Sequence, residues 1–276
     1  MILKVRNRLI FLLFLFFFPA SFIYIYALFS FISSSSEASS LISLISKPYF
    51  HNLIFQGIFL FICIISAYTI FWNFRNTNST EIFFFLCFLS VSSLLAIQSI
   101  LPFYVEKNLP LSLQNISAKV LYFSHFLSLF TLLFSGFFKI GFTFKNEEWS
   151  FFIFFLLSFI FAKLIPFDQS TYSQALQDST NSVVSVFHSG SIKYFSLFIF
   201  LSVAFPLLSF INYAIIANKT QNPKFFILGI TVLIFAFVQI AIGFQLHFIV
   251  QTIALILFVV AITLCAVTAH QYYKWG

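Results

Sequence analysis

Residues 78–95 read NSTEIFFFLCFLSVSSLL. A single carboxylate, Glu81, stands against three phenylalanines and a long run without further charge. A helix needs about 20 apolar residues to cross a bilayer core, and the run from Glu81 to Leu101 meets that length. The same run would be an unusually large apolar element for a soluble core. The rest of the chain decides between the two.

Of the 276 residues, 8% are charged and 61% hydrophobic, whereas an ordinary soluble domain carries about 25% charged residues. No soluble fold could cover so much apolar surface, so the composition defines a polytopic membrane protein. The apolar residues are unevenly chosen, with 47 Phe against one Met and seven Gly. Lipid-facing positions accept almost any apolar side chain, so codon bias can fill them. The Phe excess points to an organelle or another AT-rich genome and carries no functional signal.

Hydropathy predicts eight membrane-crossing helices, at about 9–31, 53–72, 82–101, 120–138, 151–165, 195–216, 225–242 and 248–269. The expected fold is therefore all-α, a polytopic membrane helix bundle. It divides into an N-terminal helix pair with a polar outer loop (1–80), a five-helix bundle (81–247) and an additional C-terminal transmembrane helix (248–276). The first run is longer than a signal-peptide core and lacks a small-x-small site after it, so it is read as a helix. The segment SSSSEASS in the first outer loop is expected to be mobile. The joint GFQLH at 243–247 predicts a tight hairpin.

Lys and Arg set the orientation. With the N-terminus inside, Lys4, Arg6, Arg8, Arg75, Lys139, Lys145, Lys219, Lys224 and Lys274 fall inside, and Lys47, Lys107, Lys119, Lys163 and Lys193 outside. The net charge of +7 is spread over short loops, so no nucleic-acid partner is indicated.

Sites for chemistry are sparse. Cys63, Cys87 and Cys265 lie in apolar runs with no metal or disulfide spacing. His51, His125, His188 and His247 are placed toward the outer side and read as interfacial histidines with local hydrogen bonds. No ligand spacing such as H-x3-H occurs, so no metal site is expected. Charges deep in the membrane mark ion pathways. Here nearly all charges lie at helix ends, and Lys163 is expected to snorkel outward. No G-x-x-x-G occurs, so close small-residue helix pairing is not signalled. Of the tripeptides NST, NIS and NKT, only NIS at Asn115 is placed outside, and it is assigned no role.

Residues 69–95, TIFWNFRNTNSTEIFFFLCFLSVSSLL, resemble cytochrome c oxidase subunit III. Trp72 and Arg75 match that family's tryptophan-rich segment at the inner end of its second helix. Glu81, Ile82, Phe83, Phe84 and Phe85 match the opening of its third, with Ser92, Ser93 and Leu94 near its S-S-L. The segment SVVSVFHSGSIKYF at 182–195 is similar to the F-H-G opening of helix six, placing Phe187 and His188. FAFVQIAIGF at 235–244 is similar to the closing H-F-V-D helix, with Phe237 and Val238 matching and Gln239 in the Asp position. Three departures stand out. Only five residues separate Arg75 from Glu81, the second histidine of F-H-G-x-H is absent, and an eighth helix is added.

The resemblance implies a non-catalytic subunit in the mitochondrial inner membrane, partnering the catalytic oxidase subunits I and II and other respiratory-complex subunits. Haems and copper would sit in those partners, with no cofactor in this chain beyond bound phospholipid, cardiolipin being one candidate. It implies that Glu81 supports proton uptake, that Trp72 and Arg75 contact lipid head groups, and that a lipid-filled cleft separates helices one and two from the later bundle. Read from residues alone, Glu81 is either a first-turn carboxylate favoured by the helix dipole or a buried group needing a partner or a proton, with Arg75 the nearest cation in sequence. Three other functions fit the same helices. One is a structural membrane subunit of another respiratory complex. Another is a seven-helix sensor module of a bacterial cytoplasmic membrane, expected to continue into a kinase, cyclase or phosphatase domain. A transporter is disfavoured by the lack of deep charges and broken helices.

Overall fold

The computed structural model describes residues 3–35, 48–76, 80–101, 110–137, 147–168, 170–172, 186–189 and 194–273. Of the SSSSEASS segment, Ser33, Ser34 and Ser35 end the second helix, and residues 36–40 lie outside the described residues. Within them the chain is helical: α1 (Leu3–Phe14), α2 (Phe17–Ser35), α3 (Pro48–Phe74), α4 (Thr80–Ser92), a 3-10 helix (Ser93–Ile100), α5 (Leu111–Phe137), α6 (Glu147–Leu164), the short α7 (Val186–Ser189), α8 (Phe195–Thr220), α9 (Pro223–Gly243) and α10 (Phe248–Tyr273). Seven spans are long and apolar enough to cross a membrane, and Phe151–Leu164 is a shorter apolar helix. The protein is an all-α polytopic membrane bundle, and each hydropathy run falls on a helix.

The helix ends follow local chemistry. Pro19 has no N–H to give to Leu15 and its ring crowds that carbonyl. The chain therefore breaks between α1 and α2, where Phe18 N–H bonds Leu15 O at 3.2 Å instead. Between α8 and α9, Gln221 takes φ 51°. Asn222 then caps α9 by accepting from Lys224 N at 3.1 Å, with Pro223 at the first helical position.

The third span is the axis of the bundle. Every residue from Glu81 to Ile100 is buried. A helix apolar on all sides is one meant to be surrounded, and this one is enclosed by α1, α2, α3 and α5, with α9 also packed against it. Its second half tightens into a 3-10 helix of eight residues, longer than the usual three or four. The serines satisfy the carbonyls disturbed by that change. Ser124 Oγ, from α5, donates to Val91 O at 2.6 Å, and Ser93 Oγ donates to Ser90 O at 2.6 Å. Without water in the bilayer core, such carbonyls must find donors within the protein.

Close helix contact occurs without G-x-x-x-G, contrary to the sequence expectation. A Cβ on Gly136 would sit 2.9 Å from Ser209 Cα, so α5 and α8 touch backbone to backbone there. Gly229 of α9 packs similarly on Tyr213, whose hydroxyl donates to Ser135 O at 2.9 Å. Isolated glycines opposite small or anchored partners do the work that the repeated motif does elsewhere.

Candidate functional site

The carboxylate that opened the sequence is at the buried end of the central span. Glu81 is 6% exposed, in the first turn of α4. Ser79 and Thr80, the residues placed to cap this turn, have side chains outside those described. Among the described residues the buried cation at this end is Arg6, 3% exposed on α1, which packs on α4. Its guanidinium donates to Phe74 O at 3.2 Å and Arg75 O at 2.9 Å, and Asn7 Nδ2 donates to Arg75 O at 3.0 Å. A cation on the last carbonyls of α3 suits the negative end of that helix. Sequence reading counted Arg6 only toward orientation. Nothing local distinguishes it from Lys4 and Arg8.

Arg75 takes a different position. It is exposed, with its guanidinium carbon 4.3 Å from the centre of the Trp72 ring. Trp72 is half exposed and stacks on Tyr68 at 6.2 Å. Tyr68, Trp72 and Arg75 thus form one ridge of α3, spaced to share a helix face. An aromatic and a cation together at a helix end suit an interfacial position.

The other motif residues separate into packing and surface. Phe83, Phe84 and Phe85 are all buried, Phe83 against Phe151 at 5.8 Å and Phe85 against Phe235 at 5.5 Å. Val238 is buried, whereas Phe237 is partly exposed. His188 belongs to α7, and its side chain lies outside the described residues. Phe187, beside it, is buried and reaches the ring of His125 at 4.9 Å.

His125 corrects the sequence reading. It is fully buried midway along α5 rather than interfacial. Ser202 Oγ of α8 donates its one hydrogen to Phe198 O at 2.6 Å, so it accepts from His125 Nε2–H at 2.9 Å. His125 Nδ1 is then an acceptor and meets Gln239 Nε2 of α9 at 3.1 Å. The same amide nitrogen reaches His125 O at 3.1 Å and Ser128 Oγ. A backbone carbonyl can only accept, which fixes the amide orientation. A neutral imidazole satisfies both ring nitrogens and the network joins three helices, while the buried Gln239 Oε1 has no hydrogen-bond partner among the described residues. Pro206 lies one turn beyond Ser202, where it removes the helix donor for the Ser202 carbonyl. The Gln in the family's Asp position therefore has a partner that sequence reading did not connect to it.

A cleft of about 650 Å³ opens between α2 on one side and α5 and α6 on the other, floored by Leu94 and Ile97 of the 3-10 helix. Phe16, Pro19, Phe123 and Phe159 are among its apolar walls, and Asn115, Lys119 and Lys163 are its polar residues. Lys119 Nζ donates to Lys163 O at 3.0 Å and also to Ile165 O, closing the C-terminus of α6. Among the described residues no group of three or more His, Cys, Asp or Glu could hold a metal.

Together these features define an integral membrane helical protein with a sealed central span, a buried polar node and a lateral apolar cleft. Comparison with protein-family models, curated proteins and solved structures finds no match for the chain.

Proposed function

We propose that the chain is a non-catalytic core membrane subunit of a respiratory cytochrome c oxidase, in the mitochondrial inner membrane, that stabilises the catalytic subunit and supports its proton uptake. The observation that carries the reading is Glu81, buried at the mouth of a span enclosed entirely by protein. A carboxylate held there exchanges a proton or keeps a charged partner, and ionisable groups at such places usually serve transport or relay. The motif resemblance at Trp72, Arg75 and Glu81–Phe85 gives the reading its finer form. It assigns haems and copper to subunits I and II and lipid contact to the exposed Trp72–Arg75 ridge, while Phe83, Phe84, Phe85, Phe187 and Val238 hold the helices together.

The test is gentle extraction of native membranes, separation of intact complexes and mass spectrometry of the band containing this chain. Co-migration with haem a absorbance and the two catalytic subunits is the expected result. Glu81→Gln should then leave assembly intact but weaken proton pumping or make turnover decay. Migration in a complex without haem a would overturn the oxidase assignment. Wild-type pumping and turnover stability in the variant would reduce Glu81 to a helix-end charge.

A second reading, a structural subunit of another respiratory assembly, is favoured by the His125 node. Its imidazole and hydroxyls are paired to helices of the same chain, as a brace would be.

A further inference from the structure

We propose that the α9–α10 joint and the first turns of α3 hold one monovalent metal cation on side-chain amide oxygens. The proposal does not rest on membership of an oxidase.

The joint GFQLH at 243–247 is closed by its own backbone. Gln245 takes φ 51°, its N–H bonds Ile242 O at 3.3 Å, and Leu246 N–H bonds Ala241 O at 3.0 Å. Two side chains then tie neighbouring helices to the joint. Gln56 of α3 donates from Nε2 to the same Ile242 carbonyl at 3.3 Å, and Gln251 of α10 donates from Nε2 to Leu246 O at 2.7 Å. Gln56, Gln245 and Gln251 are therefore gathered on the stretch between Ile242 and Leu246. Asn52 lies one turn before Gln56 on the same face of α3, and its neighbour His51 meets the ring of Phe248 of α10 at 6.4 Å. A backbone carbonyl only accepts, so the amide nitrogens of Gln56 and Gln251 are fixed on their carbonyls and each oxygen is turned elsewhere. Gln56 Oε1 and Gln251 Oε1 meet no donor among the described residues, and neither do Gln245 Oε1 and Asn52 Oδ1. All four residues are buried, from 1% exposed at Gln56 to 6% at Gln245. A buried acceptor left without a partner is costly, and four of them at one hairpin make a ligand set.

The chemistry of that set selects the ion. Neutral amide oxygens are hard ligands, and carbonyl-type oxygens without carboxylates are what membrane proteins offer to sodium and potassium. Calcium sites draw on carboxylates, and no Asp or Glu occurs in α3, α9, α10 or the joint. A divalent ion would keep its charge uncompensated there, whereas a monovalent ion asks for half as much. The C-terminus of α9 and the N-terminus of α10 lie side by side, so their dipoles oppose, and the attraction comes from the oxygens. Leu246 and His247 are exposed beside the buried Gln245. The ion therefore enters from the end of the bundle without crossing hydrocarbon.

The test uses the full chain in a mild detergent, with thermal unfolding followed in sodium, potassium, calcium or choline chloride at matched ionic strength. An ion that binds only the folded chain makes the melting temperature climb with the logarithm of its concentration. The expected result is that climb in sodium or potassium, and none in calcium or choline. Equilibrium dialysis of the parent chain against radioactive sodium and rubidium should then find one ion per chain. Gln245→Met keeps the side-chain length and removes one oxygen that has no protein partner among the described residues. In choline it should melt no lower than the parent. Its response to sodium or potassium should need at least about tenfold more ion, the least that disturbing a metal site costs. The same climb in choline, a stronger response to calcium, or an unchanged ion response in Gln245→Met would overturn the proposal. So would a chain that responds to none of the salts and retains no ion on dialysis, since water alone would then satisfy the four oxygens. The dialysis reads the parent chain, so the proposal stays open to refutation even where the variant fails to fold.

Discussion

Arg75 is the cation nearest Glu81 in sequence, yet it turns outward onto Trp72, while Arg6, far earlier in the chain, is the buried one. The two arginines should therefore respond differently to substitution. Arg6→Ala removes the donors to two helix-end carbonyls in a buried setting and should cost about 1–3 kcal/mol. Arg75→Ala, on an exposed ridge, should stay within about 0.5 kcal/mol. Thermal unfolding in detergent compares them, and equal losses would contradict the assignment. Gln239→Leu strips His125 Nδ1 of its partner and should destabilise by about 1–3 kcal/mol in the same assay. Outside the membrane spans, Asp168 accepts from the Thr171 hydroxyl and then the Ser170 hydroxyl, which hold its carboxyl down to about 2. A depressed carboxylate contributes stability above its ordinary pKa and loses it as pH falls through the depressed one. The turn it closes should thus keep the same amide-exchange protection from neutral to mildly acid pH. At this scale the sequence singled out Glu81 and Arg75, because a charge stands out in an almost uncharged chain. It was not legible at His125, whose partner Gln239 is 114 residues away, because a pairing that distant leaves no local pattern.

Among the elements, the eight runs were readable because hydropathy alone places them. Which faces are buried was not readable. A helix that is apolar all round has no stripe to show, so the sealed third span looks in sequence like the lipid-facing last one. The change from α4 to the 3-10 helix was hidden for a related reason: Ser124, from another helix, satisfies Val91 O. Ser124→Ala should leave that carbonyl without the hydroxyl donor and cost about 1–3 kcal/mol. The α5–α8 contact depends on the absence of a side chain at Gly136. Gly136→Val must push α8 away or distort Ser209, and overpacking of this kind costs about 1–3 kcal/mol. An unchanged melting temperature in Gly136→Val would mean the helices are not in backbone contact there.

For the whole molecule, the Lys and Arg distribution sets one topology, with the α8–α9 hairpin at Gln221 and the α9–α10 hairpin at His247 on opposite faces. Both positions are exposed, and the native thiols Cys63, Cys87 and Cys265 are all buried. Single cysteines at Gln221 and His247 should therefore react with an impermeant maleimide from opposite sides of sealed vesicles, against a silent background. Labelling of both from one side would refute the topology. The cleft beside α2 and its lysine-lined mouth were not legible, because Lys119 and Lys163 come from different helices and Lys163 read singly as a snorkelling end.

The sealed third span also bears on how the protein is made. Its walls come from both directions in the chain: α1, α2 and α3 precede it, and α5 and α9 follow. When the ribosome has released this segment into the membrane, one side of its final enclosure has yet to be synthesised. The span must wait in contact with lipid or an insertase until α5 and then α9 arrive to complete its enclosure.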